Sequence, residues 1–419
     1  MELFRDLGER IDAAWRSVDY NEEKFPGIAA DFLRNEGLTS KVTPWDILEW
    51  GLTLTEFPRQ KDVNSNFGDP AITLYSSPKF YIDIYFWFEG TTAVHQHAFC
   101  GAFQVLHGSS IHSWYEFDRT QVVNRFVELG TMSLKVCELL ETGAVQEILG
   151  GRQYIHSLFH LDSPSATICI RTDKSPLELP QYSYFKPNLA VDPFYDEEAI
   201  KKKLQIISAM SRAKRPNIDE CVNQLLADSD FQNTFQILQM ARRLLNANQI
   251  DQLFGVGSAK ASLDSYMETA RKRHGEKIDA LQAAFDHMDR LNVILQRRGL
   301  ITDPEQRFFL ALLLNVDGKD RIFSLIRQRF SDVEPREKVL DWVFDLSQTR
   351  VVGSDKQNAL GIDPFDDMDL AIFERLLDGQ SNEETLDGLR SEYPAEKLAG
   401  IDERIAKVKD AIIFAPLFD

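Results

Sequence analysis

KFYIDIYFWFEGTTAVHQHAFCGAFQVLHGSSIHSWYEF, residues 79–117, is the stretch whose reading decides the fold. Its first part alternates with period two. Phe80, Ile82, Ile84, Phe86 and Phe88 fall on one face and Tyr81, Asp83, Tyr85 and Trp87 on the other, the pattern of a strand. The first face is pure core. The second is aromatic with polar handles, which suits either the lining of a ligand cavity or an outer face covered by helices. Further on, His95 and His97 stand two apart, so on a strand both project to one side. Two neutral imidazoles side by side suit a borderline divalent metal such as iron, zinc, nickel or copper. An isolated His-x-His arises by chance on many surfaces. Here it follows a strongly apolar strand and precedes a second one, AFQVLHG, that ends in a glycine turn.

Working outward, AITLYSS lies before this stretch, and GTMSLKVCELL and SATICIRT lie after it. All are short, rich in β-branched and aromatic residues, and bounded by Gly, Ser, Asp or Pro, which predicts a sandwich or barrel and not a βαβ fold. Up to about residue 60 the apolar spacing is helical, as in Leu3, Leu7, Ile11, Ala14 and Trp15, with further helices around 28–33 and 46–54. From about Pro193 onward, spacings of three and four predict helices over 199–210, 219–227, 231–245, 263–300 (interrupted), 304–314, 320–330, 336–346, 368–377 and 402–412. Thr302-Asp303-Pro304-Glu305 is a helix start, with proline suited to the first turn. Residues 353–367 read as a long irregular loop, and GVGSAK at 255–260 lacks both Walker spacing and a preceding strand. No fixed-period repeat is visible.

The chain has 419 residues, more than one core usually serves, and divides into a helical segment at 1–60, a β-barrel domain at 61–192 and an all-helical domain at 193–419. The fold class is therefore α+β. A formal charge of -18 argues against nucleic acid or an anionic membrane surface as partner, and basic runs such as Lys201-Lys202-Lys203 read as solvated helix faces. Cys100, Cys137, Cys169 and Cys221 form no CxxC pair and no disulfide framework. The opening MELFRDLGER carries no apolar run, and the longest greasy stretch is far too short to span a bilayer, so the expectation is a cytoplasmic protein without a signal peptide or membrane span.

With these motifs in place, the sequence resembles the cupin superfamily over about residues 70–175. Gly90, His95, His97 and Gly108 match the layout of that family's first motif, with Gly90 one residue closer to the histidine than usual. The second motif fits GGRQYIHSLFHLDSPSATICIRT loosely, with His156 at the histidine position and His160 in place of the asparagine. The resemblance implies a cupin-type β-barrel with His95, His97 and His156 as metal ligands. The family's glutamate ligand falls on Gly101, and no carboxylate lies between His97 and Glu116. The centre is thus similar to three-histidine cupins, cysteine dioxygenase being the familiar case, whose octahedral iron keeps three positions for substrate and dioxygen. The likeness to that enzyme is partial. Its Ser-His-Tyr series would fall on Thr167, Cys169 and Arg171, and Cys100 is out of register with its crosslinking cysteine. A longer loop would instead make Gln104 a fourth ligand.

Other residues keep alternatives open. His160 competes with His156 as third ligand. His112, with Trp114 and Glu116, faces either the cavity or the outside. His107 reads as a surface residue, and His274 and His287 as solvated or capping residues. Arg171 shares a strand face with Thr167 and Cys169, and is either a buried clamp for a substrate carboxylate or an exposed strand-end arginine. Arg171 and Tyr85 are the candidate catalytic side chains. The resulting expectation is a non-haem Fe(II)-dependent oxygenase acting on a small anionic substrate, with Zn, Ni, Mn or Cu as other metals. The alternatives are a cupin-type isomerase or lyase with the metal as Lewis acid, or a non-catalytic sensor or scaffold with a helical partner-binding domain. The helices would cover the barrel mouth or form a homodimer.

Overall fold

The computed structural model describes residues 2–61, 63, 67–88, 93–247, 259–350 and 358–418. The strand pattern of the deciding stretch is realised in β2 (Phe80–Trp87), paired antiparallel with β1 (Ala71–Ser76) on one side and β9 (Ser165–Thr172) on the other. On the far side of β9 come β4 (Gly101–His107) and then β7 (Val145–Ile148), completing a five-stranded sheet in the order β1-β2-β9-β4-β7. The second sheet contains β3 (His95–His97), β5 (Ser110–Asn124), β6 (Val127–Leu140), β8 (Gly151–His160), β10 (Ser183–Phe185) and β11 (Leu189–Val191). It closes on itself in the order β10-β11-β6-β5-β8-β3, with Ser183 opposite His95 at the seam. Closure leaves this sheet without free edges.

The two faces of β2 have different partners. Phe80, Ile82, Ile84 and Phe86 pack with Ile168 and Ile170 of β9 against Phe4, Leu7, Ile11 and Trp15 of α1 (Glu2–Arg16) and Phe25 and Leu33 of α2 (Phe25–Glu36). Tyr85, by contrast, joins Phe103, Val105 and Cys169 of its own sheet and Tyr154 and Leu158 of the closed sheet in the barrel interior. The aromatic face with polar handles thus lines the inside, and the N-terminal helices cover the pure apolar face. α1 meets the sheet because residues spaced three and four apart share one side of a helix.

The region after β11 is helical from Glu198–Arg212 to Ala415–Phe418, with one isolated bridge, Arg350 to Asn358, among its described residues. The interrupted span expected at 263–300 is two helices, Ala259–His274 and Ile278–Leu300, separated by a 3-10 turn that starts at Gly275, whose φ is +69°. A positive φ of that size favours glycine. The helix Asn382–Glu392 was not expected. Gly90, the first four residues of GVGSAK and residues 353–357 of the expected loop lie outside the described residues. Among the described residues no helix is long and apolar enough to cross a membrane.

Candidate metal centre

β3 and β8 run side by side, with His95 opposite His156 and His97 opposite Gly151. That register brings His95, His97 and His156 together, their candidate ligand atoms all within 4.8 Å of one another. Among the described residues it is the one group of three or more His, Cys, Asp or Glu side chains so arranged. The Nε2 atoms of His97 and His156 are 2.8 Å apart. Two cis ligands at about 2.1 Å from an octahedral ion would lie roughly 3 Å apart, so this spacing fits a metal centre. His95 Nδ1 lies 2.7 Å from the carbonyl of Ala93, and donating its proton there leaves Nε2 free to bind an ion. Burial pushes all three imidazoles down from their ordinary range, His97 and His156 the most, so all three are neutral at pH 7. A neutral imidazole is the form that ligates.

No carboxylate joins them. Gly101 lies on the inward face of β4 opposite Arg171, and a Cβ there would stand 1.9 Å from the Ile170 carbonyl oxygen. β9 therefore excludes any side chain at the position where the cupin layout has its glutamate. Gln104, the alternative ligand, points the other way. Its amide donates to the carbonyls of Gly143 at 3.2 Å and Leu33 at 3.4 Å, beneath α2. Cys100 is also on that outer side, packed among the N-terminal helices.

The histidines face a small cavity of about 50 Å³, walled by both sheets. Arg171 lies in this wall, 7% exposed, so it is buried and not a strand-end residue in solvent. Its guanidinium stacks over Phe99 at 3.4 Å and over Tyr81 at 5.1 Å. Its Nε has no hydrogen-bond partner, and the nearby carboxylate whose charge acts on it is Asp83 of the adjoining strand β2. Tyr85 is in the same wall and donates to Asp83 Oδ2 at 2.9 Å. Burial, and next to it the Asp83 charge, holds the Tyr85 phenol well above its usual value, so it stays protonated. Burial likewise pushes the Cys169 thiol up to about 12, which makes it an inert wall group and not a thiolate. Phe67, 42% exposed, reaches the cavity from the loop before β1, and no sequence pattern marked it. Phe99 and Trp87 were legible in principle, as they share the parity of His97 and of Tyr85.

The remaining histidines take other roles. His112 faces inward but both ring nitrogens are engaged, Nδ1 with Glu138 Oε1 at 3.0 Å and Nε2 with the Tyr154 hydroxyl at 2.9 Å. Since an ionised carboxylate only accepts, Nδ1 donates and Nε2 accepts. Tyr154 in turn lies against the His156 ring, centroids 4.3 Å apart, and braces it. His160 stands away from the cluster. Its Nδ1 meets Ser110 and Ser165 hydroxyls at 3.0 Å each and its ring stacks on Trp87. His107 is exposed, and His274 Nε2 bonds Thr234 at 2.8 Å.

No family model matches the sequence, and no curated protein matches it. Several solved structures are similar in part. A structure of DMSP lyases shares 14% identity at a TM-score of 0.18, covering 25% of this chain and 46% of that one. Recombinant oxalate oxidase in complex with glycolate shares 12% at 0.20, covering 29% and 60%. TT1209 from Thermus thermophilus shares 15% at 0.19, covering 28% and 98%. The chain thus spans less than half of the DMSP lyase structure and three fifths of the oxalate oxidase. What the chain itself presents is a β-barrel holding three neutral histidines that could bind a metal ion, beside a buried arginine.

Proposed function

We propose that this chain is a metal-dependent enzyme of the cupin type that acts on a small organic anion inside the barrel, with Fe(II)-dependent oxygenation as the first reading. One observation carries it: a three-histidine group and a buried guanidinium whose Nε has no hydrogen-bond partner share one cavity. Burying a guanidinium is costly, and a substrate carboxylate on Arg171 would offset that cost by a bidentate pair. His95, His97 and His156 would hold the metal, which supplies Lewis acidity and, if it is iron, electron transfer to dioxygen. Because none of the three ligands carries charge, the ion keeps its double charge and favours an anionic donor. Trp87, Phe103 and Leu158 give the substrate an apolar wall and exclude water.

A second reading, a lyase or isomerase, is favoured by the Tyr85–Asp83 pair, which holds a proton in the wall of the same cavity. The discriminating experiment is metal analysis of protein purified without a His-tag, followed by incubation with small carboxylates and thiol acids while dioxygen is monitored. Bound iron and dioxygen uptake support the first reading, and turnover without dioxygen supports the second. Metal with no turnover of any of these acids would favour the non-catalytic sensor and overturn both.

A further inference from the structure

A second cavity, of about 280 Å³, lies on the outer side of the closed sheet. The helices Ile278–Leu300 and Pro304–Asn315 roof it, and β5, β8 and β10 form its floor. It is separate from the histidine cavity by strand alternation. Along β8, His156 and Leu158 line the barrel interior, whereas Ser157 between them lines the outer cavity. Ser157 is 7% exposed and is one of the polar groups in the floor of this cavity.

The charge balance around this cavity is positive. Lys186 lines it and contacts Asp317 at 2.7 Å, and Arg290 approaches the same carboxylate at 3.9 Å, so two cations face one anion. Burial, followed by the charges of Arg290 and Lys186, pushes His287 down to about 4, which leaves it neutral. No carboxylate is part of the lining among the described residues. The rest of the roof is apolar, with Leu291, Leu295 and Leu314, and Asn292 adds a hydrogen-bonding amide.

We infer that this outer cavity binds a small amphipathic organic acid, its carboxylate drawn to Lys186 and its apolar body lying along Leu291, Leu295 and Leu314. Ser157 from the floor and Asn292 from the roof supply hydrogen bonds to the acid. Apolar walls with a few converging polar groups are the usual make-up of a ligand site. The inference does not depend on the metal, because none of these side chains lines the histidine cavity.

The test uses the full chain and octanoate as the probe, with equilibrium dialysis as the measurement and 1-octanol as the neutral comparison. Arg171→Gln removes the anion clamp of the barrel, so octanoate that still binds this variant occupies another site. In that background Leu295→Trp, at a half-exposed position, and separately Asn292→Trp should each weaken octanoate by about tenfold or more through filling the cavity. Lys186→Met should weaken octanoate similarly and octanol by less than about threefold. Thermal unfolding of each variant establishes that it is folded, and Leu295→Trp carries the test if the others are not. Loss of all octanoate binding in Arg171→Gln, or equal binding of octanol and octanoate, would overturn the inference. So would unchanged binding in the folded Leu295→Trp variant.

Discussion

A Cβ at Gly101 would stand 1.9 Å from the Ile170 carbonyl, so the absent glutamate is a matter of backbone approach as well as of sequence. Introducing Gly101→Glu should therefore destabilise the barrel by several kcal/mol, on the order of 3 or more, and should not tighten metal binding. Urea unfolding and metal titration check both parts. Replacing His95, His97 or His156 singly by alanine should lower metal affinity by at least about 100-fold while the far-UV spectrum is kept, measured against a competing chelator. His160, outside the cluster, gives a prediction about pH. Burial lowers it from 6.5 to about 3, so between those values the unfolded chain binds a proton that the folded chain does not. Its contribution is fully present above pH 6.5 and is lost as the pH falls toward 3, with a slope of up to about 1.4 kcal/mol per pH unit. His160→Asn should remove that part of the slope, and urea unfolding between about pH 6 and 4 would show an unchanged slope if the reasoning were wrong.

Among the elements, β2 makes the clearest case, because its alternation was legible while the assignment of its two faces was not. Both faces are apolar enough to be buried, and only the presence of α1 and α2 on one side settles which of them lines the cavity. Phe80→Ala should cost about 3–5 kcal/mol, since it opens a hole between sheet and helices, whereas Phe88→Ala, at a 46% exposed position of the same parity, should stay within about 0.5 kcal/mol. Denaturant midpoints of the two variants compare them directly. Strands β10 and β11 have three residues each, too few for a period to register. The helix Asn382–Glu392 buries little more than Thr385 and Leu389, so its apolar stripe is thin, yet its capping box, Ser381 with Glu384, was a readable start signal.

For the whole molecule, the barrel and the C-terminal helices share their cores. Ile111 and Phe159 of the closed sheet belong to one apolar cluster with Phe308, Phe309, Leu312 and Trp342, and Val127, Leu129, Leu189 and Val191 belong to another with Ile200, Phe235, Leu238 and Phe285. Ending the chain after residue 192 would expose both sets on the outside of the closed sheet. The shortened protein should aggregate or elute as large species in size-exclusion chromatography, because exposed apolar patches of that extent drive association. A monodisperse, folded barrel from residues 1–192 would contradict this.

The sequence by itself determined the element types, because period two and period 3.6 are properties of local spacing that burial of one face then enforces. It also determined the His95–His97 pair, since residues two apart on a strand share a side wherever the strand is placed. The gathering of His156 with them depends on the β3–β8 register, in which His95 stands opposite His156. That Arg171 is buried in the cavity wall, and that Phe67 reaches the cavity, follow from how two sheets and a loop meet. These are relations between residues far apart in the chain. No local pattern encodes them, because register and facing are fixed only when the hydrophobic faces of separate elements are buried against one another.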